Sequence, residues 1–151
     1  MKSLIISKNK IRGFTLIEIL IVIALIGFII SLGSVINIDF YSREVRLSEQ
    51  ATLISILQKA RSDAMNNIHT TSHGVHIDND TYTFFEGTNY NSNESTNQAI
   101  KRNPNITISG LENIVFEQLS GNTENTGTII LEDTNNIEKF INIKANGLID
   151  W

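Results

Sequence analysis

Lys10-Ile11-Arg12-Gly13-Phe14-Thr15-Leu16-Ile17-Glu18 opens the stretch that decides the architecture of this chain. A basic stub meets Gly13-Phe14, and from Ile19 to Ile30 every residue is apolar or Gly. The apolar character continues to Ile38, with Ser31, Gly33 and Ser34 among the interruptions. A helix rises about 1.5 Å per residue, so about 20 apolar residues cover the roughly 30 Å of bilayer hydrocarbon. The run therefore predicts a membrane helix over residues 14–38. Lys2, Lys8, Lys10 and Arg12 precede it with no acidic residue among them. Such a flank stays cytoplasmic, which sends the chain beyond residue 38 outward. A secretory signal peptide is the competitor. Its apolar region covers only about 7–15 residues and ends at a small-residue cleavage site, and no such site follows here.

Glu18 stands out within the run. An ionised carboxylate in hydrocarbon is disfavoured by about 2.5–3.5 kcal/mol on insertion scales. An anchor alone would be served better by Leu, so a functional role is expected: pairing with a cation when helices associate. The competing reading keeps Glu18 hydrated near the interface beside the basic stub.

Arg12-Gly13-Phe14-Thr15-Leu16-Ile17-Glu18, preceded by Lys10, resembles the class III signal of type IV pilins and type II secretion pseudopilins. The resemblance implies that a prepilin peptidase cuts after Gly13 and methylates the new amine of Phe14. It also implies that Glu18 neutralises the Phe14 amine of a neighbouring subunit as a filament grows. The implied partners are that peptidase, other pilin or pseudopilin subunits met through the amino-terminal helix, and an inner-membrane assembly platform. The implied location is the bacterial inner membrane, single-pass, and then the pilus or pseudopilus. Loss of residues 1–13 would remove four of the 12 cations and none of the 16 anions, leaving 8 − 16 = −8.

After a leader over 1–13 and an assembly helix over 14–38, the head over 39–151 is long enough for one small domain with a real core. The chain has no Cys, which excludes disulfides and thiol chemistry. From Arg43 to about Ile68 there is neither Gly nor Pro. Leu53, Leu57, Ala60, Ala64 and Ile68 fall on one helical stripe, widened by Leu47, Ala51 and Ile54. Arg43, Glu44, Glu49, Lys59, Arg61 and Asp63 are expected on its solvated surface. Gly27, Gly33 and Ser34 are candidate bend points between the two helical halves.

Beyond Asn67 the apolar period falls from about 3.6 to about 2. Residues 71–77 and 81–85 predict a hairpin around Asp78-Asn79-Asp80. Further strands are expected at 106–109, 114–119, 128–132 and 139–144, with an end piece at 148–149. The polar tract Gly87–Gln98 reads as a mobile surface loop. Helix first and strands afterwards predict an α+β fold, a long amino-terminal helix packed on an antiparallel β-sheet head. A pilin-like head is what the resemblance implies as well.

Leu57-Gln58-Lys59-Ala60-Arg61-Ser62-Asp63-Ala64 and the closing Ile-Asn-Ile-Lys-Ala-Asn-Gly-Leu-Ile resemble the H-type minor pseudopilins and FimT-like minor pilins (GspH/FimT type). Chemistry in the head is sparse. His73 and His76 alternate across a strand and read as surface histidines unable to share a metal. Asp78 and Asp80 could hold Ca²⁺, but turn chemistry explains them; no metal or cofactor is expected. No phosphate loop, activated nucleophile or carboxylate pair points to an enzyme. Asp39, Glu44 and Glu49 are spaced like carboxylates along a solvated helix. DNA capture needs clustered cations, whereas Lys101-Arg102 is the lone adjacent basic pair in a net acidic head. The reading is a structural subunit, minor pilin or pseudopilin. The rivals are a DNA-binding minor pilin and an uncut membrane-anchored binding module.

Overall fold

The computed structural model describes residues 13–33 and 38–151. The leader through Arg12 and the candidate bend at Ser34 lie outside the described residues. Two compact units are present, one up to Asn37 and one from Ile38 onward. In the first, helix α1 spans Leu16–Gly33 and runs through Gly27. In the second, helix α2 spans Ile38–Met65 and ends three residues before the expected Ile68, which instead begins a short 3₁₀ turn, Ile68–Thr70.

Eight strands follow: β1 His73–Ile77, β2 Thr81–Glu86, β3 Gln98–Lys101, β4 Ile106–Gly110, β5 Asn113–Phe116, β6 Gly127–Asp133, β7 Glu138–Ile143 and β8 Ile149–Asp150. They form two four-stranded sheets, ordered β3-β2-β1-β5 and β4-β6-β7-β8. Every pairing is antiparallel, so the head is α+β on antiparallel sheets, consistent with a pilin-like fold. Two features differ from the sequence-based expectation. β3, not expected as a strand, begins at Gln98, the last residue of what reads as loop, and the strands divide between two sheets. Strand periodicity reports which face is buried but not which strands pair.

α2 unites the sheets. Leu53, Ile54, Ile56, Leu57, Ala60 and Ala64 pack against Val75, Tyr82, Phe84, Ile114 and Phe116 of one sheet and Ile129, Leu131, Ile141 and Ile143 of the other. Two members of the expected stripe lie elsewhere: Ala51 and Ile68 are exposed, and Ile56 takes up the burial. Ala60 and Ala64, fully buried, let the strands approach the helix closely. The Lys59 ammonium lies 3.8 Å above the Phe84 ring and 2.7 Å from Asp63.

Two glycines are required by close approach. At Gly74 a Cβ would stand 2.4 Å from Phe85 Cζ and 2.8 Å from the Ile114 carbonyl oxygen. Gly110, at φ +102°, sits where the chain passes from β4 to β5; a Cβ there would stand 2.1 Å from the Thr128 carbonyl oxygen.

Candidate assembly site at the amino-terminal helix

Between Leu16 and Ile30 the side chains of α1 are apolar on every face apart from Glu18, and its large apolar side chains are exposed, from Leu16 at 79 % to Val22 at 47 %. A helix of this kind is stable only where lipid or other helices cover it. Its 18 residues reach about 27 Å, just short of the hydrocarbon thickness of about 30 Å. Among the described residues, no helix is long and apolar enough to cross a membrane. The expected span continues to Ile38, through residues 34–37 outside the description.

The start of α1 is closed by a reciprocal pair of hydrogen bonds. The Glu18 backbone N–H donates to Thr15 Oγ1 at 3.3 Å, and the Thr15 backbone N–H donates to Glu18 Oε2 at 3.4 Å. The Thr15 carbonyl accepts from the amides of Glu18 and Ile19 at 3.1 and 3.3 Å. Thr15 is thus the N-cap, and Thr-x-x-Glu forms a capping box that gives the Thr15 amide a partner and the Glu18 amide a second one. The capping pattern is legible in the sequence as Thr15-Leu16-Ile17-Glu18. Gly13 and Phe14 precede the cap, Phe14 being 81 % exposed. Of the expected signal residues, Gly13 to Glu18 are described and adjoin this cap, while Arg12 lies outside.

In the head the structure relocates several polar residues. Glu49, expected on the solvated face, is buried: its Oε1 accepts from the Tyr82 hydroxyl at 2.7 Å and from the Asn103 amide at 3.3 Å. Burial is the main cause that pushes the Tyr82 hydroxyl well above the usual phenol range, reinforced by the bond to Glu49. One turn earlier, buried Arg46 donates to the Asp133 carboxylate at the end of β6. Burial of Asp133 favours its neutral form. That effect is outweighed by the amides of Ile137 and Asn135, at 3.0 and 2.9 Å, and by the Arg46 charge, so its acidity is held below the ordinary carboxylate value. The polar end of the α2 stripe therefore pins the helix to both sheets. Helical spacing suggests a solvated Glu49; the partners that bury Arg46 and Glu49 come from residues 87 and 33 positions away.

His73, expected at the surface, is 1 % exposed. It shares the helix-facing side of β1 with Val75, stacks on Phe84 at 5.5 Å, and its Nε2–H donates to the Ile68 carbonyl at 2.9 Å. His76 lies on the opposite face, stacked at 3.9 Å on Tyr90. Tyr90 brings the 87–97 segment back over Phe85, which is 1 % exposed. That segment is hydrogen-bonded to itself through Asn91, whose carbonyl accepts from Asn97 Nδ2 at 2.8 Å and whose Oδ1 accepts from the Asn93 amide at 3.1 Å. Asn side chains substitute for buried apolar contacts there, which composition alone does not reveal. Beside it an open cleft of about 640 Å³ is bordered by Ser72, Tyr90, Asn113, Glu117 and Glu124. Asp78 Oδ1 accepts from the Asn79 amide at 2.7 Å, the turn role expected of it. Among the described residues, no cluster of three His, Cys, Asp or Glu is placed to hold a metal. In the basic pair, Arg102 directs its guanidinium to the carbonyls of Asp78 and Ile106.

An amino-terminal helix followed by an antiparallel α+β head is consistent with a pilin-like fold. Residues 8–34 match the prokaryotic N-terminal methylation motif. No curated protein and no solved structure matches the chain. The motif supports a type IV pilin-like protein or pseudopilin subunit, processed by prepilin peptidase and assembling with other pilins; proteins of this type are structural subunits.

Proposed function

We propose that the chain is a minor pilin or pseudopilin, of the kind typified by the H-type and FimT-like proteins, that builds into a type IV pilus or a type II secretion filament. Peptidase cleavage between Gly13 and Phe14 and methylation of the Phe14 amine release a subunit over 14–151. Residues 14–38 hold it in the cytoplasmic membrane, with the basic flank inside and the head outside. On assembly the Glu18 carboxylate of one subunit meets the Phe14 amine of the next. In lipid each charge alone is poorly solvated, so their meeting is favoured.

The carrying observation is a methylation motif at 8–34 that encloses the helix Leu16–Gly33, apolar on all sides, with one carboxylate in its first turn. The likeness of 57–64 to the H-type helix supports the minor assignment, although packing accounts for much of it, since Leu57, Ala60 and Ala64 are core residues. Engagement of Arg102 with backbone carbonyls argues against a phosphate-binding role for the basic pair.

Mass spectrometry of the chain purified from a host with its prepilin peptidase tests the reading. The parent should begin at a methylated Phe14. Gly13→Asp should retain the leader, heavier by residues 1–13. A Cβ at Gly13 meets nothing within 4 Å, so this substitution leaves the fold undisturbed. Normal processing of the variant, or a parent beginning at Met1, would overturn the assignment and leave a tethered binding module.

A further inference from the structure

We propose that the open cleft on the outer face of the first sheet is a binding site for a neutral saccharide. The site lies wholly in the head and does not depend on the filament reading.

Strand register builds its floor. Gly74 of β1 stands opposite Phe85 of β2 on one side and Val115 of β5 on the other. Val75, the next residue, belongs to the core beneath α2, so this cross-strand row faces away from the helix. A Cβ at Gly74 would stand 2.4 Å from Phe85 Cζ, so the missing side chain makes room for the Phe85 ring. Thr88, Asn89 and Tyr90, which follow β2, and Glu117, Glu124 and Asn125, which follow β5, border about 640 Å³. Small-ligand sites span about 300–1,000 Å³.

The border is held in place by the fold while several of its polar groups stay unused. Tyr90 is stacked on His76 at 3.9 Å and tilted against Phe85 at 5.5 Å, yet its hydroxyl has no partner among the described residues. The Glu124 carboxylate has none either. Asn125 is fixed through Oδ1, which accepts from the Val115 amide at 3.0 Å, and its two N–H donors are spare. Ser72 Oγ accepts from the Gln118 amide at 3.3 Å and keeps its own proton to donate. Donors and acceptors therefore face one space. An ammonium only donates and a phosphate chiefly accepts, so each would leave much of this lining unpaired, whereas a sugar hydroxyl does both. The border carries two carboxylates and no Lys, Arg or His, which opposes anions. Val115 and the Tyr90 ring supply apolar surface for the C–H face of a pyranose.

The test presents the full chain, in a zwitterionic detergent because maltoside headgroups would compete, to an array of neutral, sialylated and sulfated oligosaccharides. Neutral oligosaccharides should be retained, the sialylated and sulfated ones should not, and spermidine should displace nothing. Towards the best-retained neutral oligosaccharide, Glu124→Gln should weaken affinity on the order of tenfold. Tyr90→Phe, which keeps the stack on His76 and removes the hydroxyl, should weaken it severalfold. Neither substitution removes a hydrogen bond within the chain, so both should melt with the parent. Glu138→Gln, on β7 of the other sheet, should bind as the parent does. Retention of charged oligosaccharides alone or of none, displacement by spermidine, or parental affinity in either Glu124→Gln or Tyr90→Phe would overturn the proposal. An equal loss in Glu138→Gln would do the same.

Discussion

Removing one oxygen, Tyr82→Phe, should destabilise the head disproportionately. Tyr82 is fully buried, and its hydroxyl donates at 2.7 Å to Glu49, which is itself 7 % exposed. The ring packing survives in Phe, so the loss is confined to the hydrogen bond and the acceptor left behind. A hydrogen bond to a charged group contributes about 1.5–3 kcal/mol, and Glu49 retains only the longer bond from the Asn103 amide. For a head of this size that corresponds to a fall in Tm of roughly 5–15 °C. Urea denaturation of the detergent-solubilised chain, followed by circular dichroism, measures it. A double-mutant cycle with Glu49→Gln isolates the coupling between the two side chains. The pH dependence supplies an independent check. Because the folded-state pKa of Tyr82 is raised, its stabilisation is complete below the unfolded phenol value near pH 10 and declines above it, as the unfolded chain ionises first. Tyr82→Phe should therefore flatten the alkaline limb. A loss below about 0.5 kcal/mol, or an alkaline limb identical to the parent, would refute the reasoning.

Three other outcomes are expected. Asp133→Asn should lower stability at neutral pH. Asp133 has a depressed folded pKa, so its contribution is present above the unfolded value near pH 4 and lost as pH falls through the folded one; the variant should show a shallower acid limb in pH-dependent melting. Gly74→Ala should cost about 1–3 kcal/mol or more in a denaturant titration, since its methyl would press on both the Phe85 ring and the Ile114 backbone. Leu57→Ala, at a position with no exposed surface in the centre of the core, should cost about 2–5 kcal/mol in the same titration.

The division between what the amino-acid order dictated and what required the folded chain follows the range of the interactions. Local rules sufficed for the apolar run around one carboxylate, for the helix through Leu53, Leu57, Ala60 and Ala64, and for the Asp78 turn, because each depends on residues within a few positions of one another. The Thr15–Glu18 box was equally local, and its pattern lay in plain view.

What needed three dimensions was pairing at a distance. That β4 joins β6 while β5 joins β1, that Arg46 finds Asp133, and that Glu49 is a buried acceptor for Tyr82 are contacts between remote segments. A carboxylate at helical spacing reads as solvated until a sheet is laid over it. His73 passed for a surface residue for the same reason: its polarity suggested water, but the strand's two-residue period placed it beside Val75 beneath the helix, where the Ile68 carbonyl replaces the water it gave up.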